Sequence, residues 1–270
     1  MLQFRCIGSS SKGNCYLIRN SEGCILVDAG VGIRRIRKYL YESGVALESL
    51  KAIFLTHDHV DHAKNVGTIQ HMAARKGQFI KLYATEKVLA SVHSNPAIKV
   101  KPSSEGMQLI SYDEMVRCCG CEITPFSVPH DSADNVGYFI SEGEHTLCLV
   151  TDVGQMTDTI HQYIDRTDQL ILESNYDEKM LRDGPYPYHL KKRISGGNGH
   201  LSNVEAATVI WQHREKLQRV WLCHLSENNN TPESAMGTVE EQFLENGLLL
   251  RDFVDVKVLH RTLPSPLFFL

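Results

Sequence analysis

The chain has 270 residues, 42% hydrophobic and 22% charged, an ordinary globular composition that excludes a low-complexity or disordered protein. Its net charge of −4 leaves no overall basic footprint of the kind that marks many nucleic-acid binders. No apolar run approaches the roughly 18 residues of a membrane span, so membrane partners are not expected.

Strands are expected over Leu2–Ile7, Cys15–Ile18 and Cys24–Asp28, where β-rich runs alternate with turn residues. A helix follows over Gly32–Glu42, with Ile33, Ile36 and Leu40 on one face, then a strand over Ala52–Thr56. Helices over Lys64–Lys76 and Thr85–Ser94 precede strands over Ile123–Val128, Val136–Ile140, Leu147–Asp152 and Gln169–Glu173. The chain closes with a helix over Asn203–Gln212, a strand over Val220–His224 and a helix over Pro232–Asn246. Strands with helices between them in both halves predict an α/β fold, two sheets packed face to face with helices outside, an αββα four-layer sandwich. Neither an internal repeat nor a linker divides the chain, so one domain over residues 1–270 is expected. The first residues carry no basic leader or apolar export segment, and the expected compartment is the cytoplasm. Of the eight cysteines, Cys15, Cys24, Cys148 and Cys223 fall in expected strands and read as small core residues. Cys118-Cys119-Gly120-Cys121 lacks the second Cys/His pair that a structural zinc site needs.

The polar residues at the strand ends carry the chemistry. Asp28, Asp152, Glu173 and His224 each end a strand run, and His57 follows directly on another. Such positions project into the loop layer at one sheet edge, where distant segments can assemble a site. The densest signal is His57-Asp58-His59-Val60-Asp61-His62. In extended chain His57 and His59 point to the same side, and Asp61 and His62 follow as the chain turns into a helix. Three histidines so close together are poor core material, because each buried imidazole needs a partner. His130, Asp152 and His224 add isolated residues of ligand type. Asp28 is placed to accept the second N–H of a ligand imidazole.

These residues resemble the metallo-β-lactamase superfamily: His57/His59/Asp61/His62 matches its H-x-H-x-D-H motif, and the likeness runs from Asp28 to His224. The resemblance implies that His57, His59 and His130 hold one metal ion, that Asp61, His62 and His224 hold a second, and that Asp152 bridges them. A donor set of imidazole and carboxylate without thiolate suits two divalent transition-metal ions, zinc, manganese or iron. Two such ions form the clamp used for displacement at phosphorus. Aspartate at 152 resembles the phosphodiesterase and nuclease branches, and glyoxalase II, more than an antibiotic hydrolase.

Glu173-Ser-Asn and Gly199-His200-Leu-Ser202-Asn203 are similar to the Glu and Gly-His-Ser-Thr elements of tRNase Z. That resemblance implies that His200 protonates the leaving oxygen and Glu173 orients it. Ser202 and Glu205 also form a capping-box pattern, which puts His200 just outside a helix N-terminus. The candidate catalytic residues are therefore Asp61, Glu173 and His200.

A finer resemblance is to the YycJ family, also called WalJ or VicX. It is carried by Gly8-Ser-Ser-Ser-Lys-Gly-Asn14, Gly184-Pro-Tyr-Pro-Tyr-His189-Leu-Lys191-Lys192-Arg193-Ile and Leu222-Cys-His-Leu-Ser-Glu-Asn-Asn229. It implies a DNA exonuclease, with 5′-to-3′ polarity proposed for the family. No room exists between Asp152 and His224 for a β-CASP insertion or a long tRNase Z arm. Candidate substrate contacts are Ser10 and Asn14, in a turn that reads equally as a plain hairpin, with His189, Lys191, Lys192 and Arg193, which read equally as a solvated charged face. The alternatives are RNA processing of the tRNase Z type, hydrolysis of a cyclic nucleotide or thioester, and a metal-bearing regulator without turnover.

Overall fold

The computed structural model describes all 270 residues. The first sheet is built from β1 (Gln3–Gly8), β2 (Cys15–Arg19), β3 (Cys24–Val27), β4 (Ala52–Phe54), β5 (Lys81–Ala84) and β6 (Met107–Leu109). The second takes β7 (Val116–Cys118), β8 (Cys121–Ser127), β9 (Val136–Glu142), β10 (His145–Val150), β11 (Gln169–Glu173), β12 (Arg219–Cys223) and β13 (Asp255–Val258). The last strand, β14 (Phe268–Phe269), returns to the first sheet beside β1, giving seven strands in each.

Both sheets change character midway. β1–β2–β3 is an antiparallel meander and β3–β4–β5–β6 is parallel. Likewise β7–β8–β9–β10 is antiparallel, and β10–β11–β12–β13 is parallel. The helices between parallel strands lie on the outer faces. In the first half these are α1 (Ile33–Glu42), α2 (Val60–Ala63), α3 (Val66–Ala74) and α4 (Glu86–Ser94). In the second they are α5 (Asp158–Ile164), α6 (Glu178–Asp183), α7 (Tyr188–Ile194), α8 (Asn203–Gln212) and α9 (Pro232–Glu245). No helix is long and apolar enough to cross a membrane.

Three apolar layers hold this four-layer sandwich together, and the period-two alternation of the strands sorts residues among them. Along β12, Trp221 and Cys223 enter the layer between the sheets, whereas Val220 and Leu222 face α8 and α9. Along β10, Leu147 and Leu149 face inward, and Cys148 and Val150 face out. On the other side Ile36 and Leu40 of α1 and Ile69 of α3 cover the first sheet.

The expected αββα architecture is the one observed, with corrections in detail. The helix expected over Lys64–Lys76 is the shorter α3, and a separate turn of helix, α2, precedes it with a break at Lys64-Asn65. The break fits the demands on Asn65, whose amide donates to Ala29 O (3.1 Å) and whose side chain donates to Val31 O (2.7 Å). Strands expected to reach Asp28, Asp152 and His224 stop one or two residues short. Each of those three residues has left-handed backbone, with φ of 60°, 54° and 54°, which no strand tolerates.

Candidate metal centre

The carboxyl ends of parallel strands meet at one edge of this sandwich, the usual crevice for ligands in α/β sheets. The register aligns Val150 of β10 with Leu172 of β11 and Leu172 with Leu222 of β12. Asp152, Glu173 and His224 therefore emerge side by side. Across the crevice, β3 and β4 pair Val27 with Phe54, so Asp28 and Thr56 emerge together. A left-handed residue at a strand end turns its side chain out of the pleat and toward the neighbouring loop. That conformation is sparsely populated for residues other than glycine and clusters at functional sites.

Six imidazoles converge on the crevice. His57 lies 4.6 Å from His59, 4.1 Å from His62 and 5.1 Å from His130, ring centre to ring centre. His200 lies 5.1 Å from His130 and 5.4 Å from His224. His57, His59 and His130 offer donor atoms within 4.8 Å of one another, as do Asp61, His62 and His224. His57, His62 and Asp152 form a third such group that overlaps both. Asp152 thus stands between the two sides, with Oδ2 3.2 Å from His62 Nε2 and Oδ1 3.8 Å from His130 Nε2.

Four of the ligand-type histidines are aimed by a bond to the other nitrogen. His62 Nδ1 meets Asp28 Oδ2 at 2.7 Å, and Asp28 also accepts from Thr56 N and Thr56 Oγ1, each at 2.9 Å. Thr56 Oγ1 lies 3.0 Å from His57 Nδ1, and His130 Nδ1 donates to Gly199 O at 2.9 Å. His224 Nδ1 meets Glu173 Oε1 at 2.8 Å. What remains is informative: Nε2 of His57, His130 and His224 is buried with no hydrogen-bond partner. Buried polar atoms are rarely left unmatched, and three unmatched lone pairs beside two carboxylates make a donor set for cations. The residues fit divalent metal ions on that observation.

The crowding of imidazoles and carboxylates shifts their charges in opposite directions. Burial pushes the His57 and His130 imidazoles below the usual range, with neighbouring histidines adding to the shift. Burial also acts to depress His62 and His224, but Asp152 and the other carboxylates outweigh it, lifting His62 well up and His224 to about 10. Asp152 is held well below the usual carboxylate range, because His224 and His62 overcome its burial.

Glu173 is completely buried and fully engaged. Oε1 meets both His200 Nδ1 and His224 Nδ1 at 2.8 Å, and Oε2 accepts the amides of Val153 (2.8 Å) and Leu201 (3.1 Å). Burial would raise its pKa, yet the two imidazoles pull it down to about 2. Glu173 therefore positions its neighbours and has no oxygen free for substrate. His200 is 18% exposed and its Nε2 makes no hydrogen bond within the chain. Burial alone would depress its basicity, but Glu173 and then Asp152 raise it. Ser202 caps α8 with the reciprocal Glu205 box that its sequence pattern implies.

The structure treats the remaining candidates differently. Asn14 is buried, with Nδ2 2.8 Å from His62 Nε2. The turn around it has spent its amides: Gly13 N donates to Ser10 O, Asn14 N to Asp61 O and Lys12 N to Ser10 Oγ. Ser10 is buried in the same turn. His189 and Lys192 are exposed on α7, Lys191 donates to Arg182 O, and Arg193 pairs with Asp131. None of these four joins the donor groups.

Other supports went unread in the sequence. Ser9 Oγ accepts the His224 amide (2.8 Å), Asn175 Nδ2 donates to His224 O (2.8 Å) and Asn135 Nδ2 donates to Asp152 O (2.8 Å). Asp58, inside the histidine motif, instead accepts from Ala133 N and Ser91 Oγ and secures the loop after His130. Gly30 lets the Asp28 loop lie on this motif. A Cβ there would stand 1.5 Å from Asp61 O, while Ala29 N donates to His62 O at 2.7 Å. Gly30→Ala is expected to lose about 3 kcal/mol or more, the upper end for overpacking, because backbone must move. Chemical denaturation would read the loss, and unchanged stability would show that the loop can shift.

Fold and site together define a class. Residues 24–225 match the model of the beta-lactamase superfamily domain. The zinc-bound PqqB structure from Methylobacterium extorquens superposes with a TM-score of 0.72 at 19% identity, covering 97% of this chain and 99% of that one. The chain is 30% identical over 247 residues to exodeoxyribonuclease WalJ of Streptococcus pneumoniae, covering 91% of this chain and 90% of the relative. Exodeoxyribonuclease YycJ of Bacillus anthracis matches with the same identity and coverage. The chain belongs to the beta-lactamase superfamily and, within it, to the family of the WalJ and YycJ proteins.

Proposed function

We propose that this protein is a metal-dependent phosphodiesterase acting on DNA, an exonuclease working in the 5′-to-3′ direction in the cytoplasm. The observation that carries the hydrolase reading is the set of three buried, unpartnered Nε2 atoms facing Asp152 and Asp61. The choice of DNA rests on relatives named exodeoxyribonucleases. In this reading His57, His59 and His130 would hold one ion and Asp61, His62 and His224 the other, with Asp152 as a ligand shared between them. Two divalent transition-metal ions would there supply Lewis acidity, making water a better nucleophile near neutral pH and neutralising charge on phosphate oxygens.

The chain's own groups do the rest. Asp28 fixes the His62 ring through Nδ1 and leaves Nε2 to face the centre. Glu173 fixes His224 in the same way and, through the same oxygen, fixes His200. His200 holds a proton on Nε2 at the rim, where a departing sugar oxygen needs one. Asp28→Ala is expected to weaken metal binding about 10–100-fold, as for other partners of ligating histidines. Competition with a metal chelator measures this, and an unchanged constant would mean that Thr56 alone orients the ring.

The direct test gives end-labelled single- and double-stranded DNA and RNA to metal-stripped protein re-supplied with zinc or manganese. Stepwise release of nucleotides from the 5′ end of DNA is expected, only with metal. Preference for RNA would replace the reading with tRNase Z-type processing. No cleavage of any strand would remove the nuclease assignment.

A further inference from the structure

The end of the sandwich opposite the metal centre carries a different chemistry. β7 and β8 pair Cys118 with Cys121 across a two-residue turn, Cys119-Gly120, with φ of 52° and 68°. Left-handed values at both positions fit the type I′ hairpin turn. Asparagine or glycine is the usual choice for its first position, so cysteine is not there for the turn's sake. The turn brings Cys118 Sγ to 3.8 Å from Cys119 Sγ. Both thiols are half-buried, while the other six cysteines are buried. The pair faces a cavity of about 380 Å³ whose lining includes Lys51, Lys81 and Arg117. The carbonyl of Cys119 accepts from Asn20 Nδ2 at 2.7 Å, so this hairpin also clasps the turn between β2 and β3 in the other sheet.

We propose that Cys118 and Cys119 form a reversible redox-modification site whose oxidant is a hydroperoxide. Cys118 attacks as the thiolate: its sulfur bonds to a peroxide oxygen, the O–O bond breaks, and Cys118 becomes a sulfenic acid as hydroxide leaves and takes up a proton. The Cys119 sulfur then attacks the Cys118 sulfur, forming the S–S bond, breaking the S–O bond and releasing water. Two thiols lose two electrons and one hydrogen peroxide becomes two waters. Cys118 is the thiol that reacts first. A hydrogen bond from Cys119 and the charge of Lys81 pull it below the usual thiol range. Burial pushes Cys6 and Cys121 up to about 12, and Cys15 and Cys223 well above the usual range. Thiolates react and buried thiols stay inert.

The disulfide made here is readily undone. Adjacent Cα atoms lie about 3.8 Å apart across a trans peptide, shorter than the usual disulfide span of about 4.4–6.8 Å. A strained disulfide has a more oxidising potential and yields to cellular thiols. β8 separates this hairpin from the His130 loop by seven residues, about 24 Å of antiparallel strand at roughly 3.4 Å per residue.

The metal-loaded protein is treated with hydrogen peroxide, alkylated and examined by mass spectrometry, with metal content and circular dichroism as controls for the fold. The expected result is a fall from eight free thiols to six and a loss of two hydrogens in the peptide holding Cys118 and Cys119, restored by dithiothreitol. Cys119→Ser should stop at the sulfenic acid on Cys118, trapped by dimedone. Cys119→Asn, which suits left-handed backbone, repeats the test if serine disturbs the turn. Cys121→Ser should leave disulfide formation intact. Eight thiols remaining in the wild type, or two thiols still lost in both Cys119 variants, would overturn the proposal.

Discussion

Asp152→Ala is expected to strip the protein of more than one metal ion while leaving it folded. In the binuclear reading, wild type carries two ions per chain and both depend on Asp152, which lies between the His62 and His130 sides. Removing it takes a ligand from each ion at once, so the variant should hold less than one ion and lose more than about 10²-fold in activity, beyond the effect of merely disturbing a ligand's partner. The fold survives because the strand end is held by its backbone: the Asn135 side-chain amide donates to the carbonyl of residue 152, and the Asp152 carboxylate takes no part. Elemental analysis after gel filtration decides the matter. A single ion in the wild type, or two in the variant, would end the reading that Asp152 bridges.

His200→Ala should cut turnover on DNA by about 10²–10⁴-fold, the usual contribution of a general acid, with both ions retained. The argument rests on asymmetry between the two oxygens of the reaction. The incoming oxygen is served by Lewis acidity, whereas the departing sugar oxygen is basic and must receive a proton. His200 is the one imidazole at the rim whose Nδ1 is held by Glu173 and whose Nε2 is free. A nitrophenyl phosphodiester has a leaving group that needs no proton, so the same variant should lose far less on that substrate. Equal losses on both substrates would make His200 a phosphate-positioning residue. No loss on either would make it a loop histidine.

The residues of this centre were legible in the sequence because ligand-type side chains sit where apolar strand runs stop. His57, His59, Asp61 and His62 cluster in the chain, while Asp28, His130, Asp152, Glu173, His200 and His224 are each announced by an apolar run or a helix cap beside them. The structure brings all ten to one crevice. The residues that hold them there were not legible. Ser9, Asn135 and Asn175 look like any loop polar residue, and the Ser9 bond to His224 spans 215 positions. The short strands β5, β6, β7, β13 and β14 also escaped, since a strand of two to four residues carries too little alternation to register. The helices α5, α6 and α7 span only six or seven residues, less than two helical turns, so no apolar periodicity develops. Strand ends were overrun because residues 28, 152 and 224 follow closely on apolar runs, and a left-handed φ leaves no mark in the sequence.

Those three left-handed residues bear on how such a chain can change over time. Left-handed backbone costs a non-glycine residue about 1–2 kcal/mol, somewhat less for aspartate. Three such positions together hold on the order of several kcal/mol, against a typical net stability of about 5–15 kcal/mol. Glycine would relieve that strain at position 152 or 224, but it would also remove the side chain. A lineage released from its chemistry would therefore be expected to drift toward glycine there and to gain robustness as it lost activity. A laboratory screen that selects for heat resistance alone should recover the same substitutions.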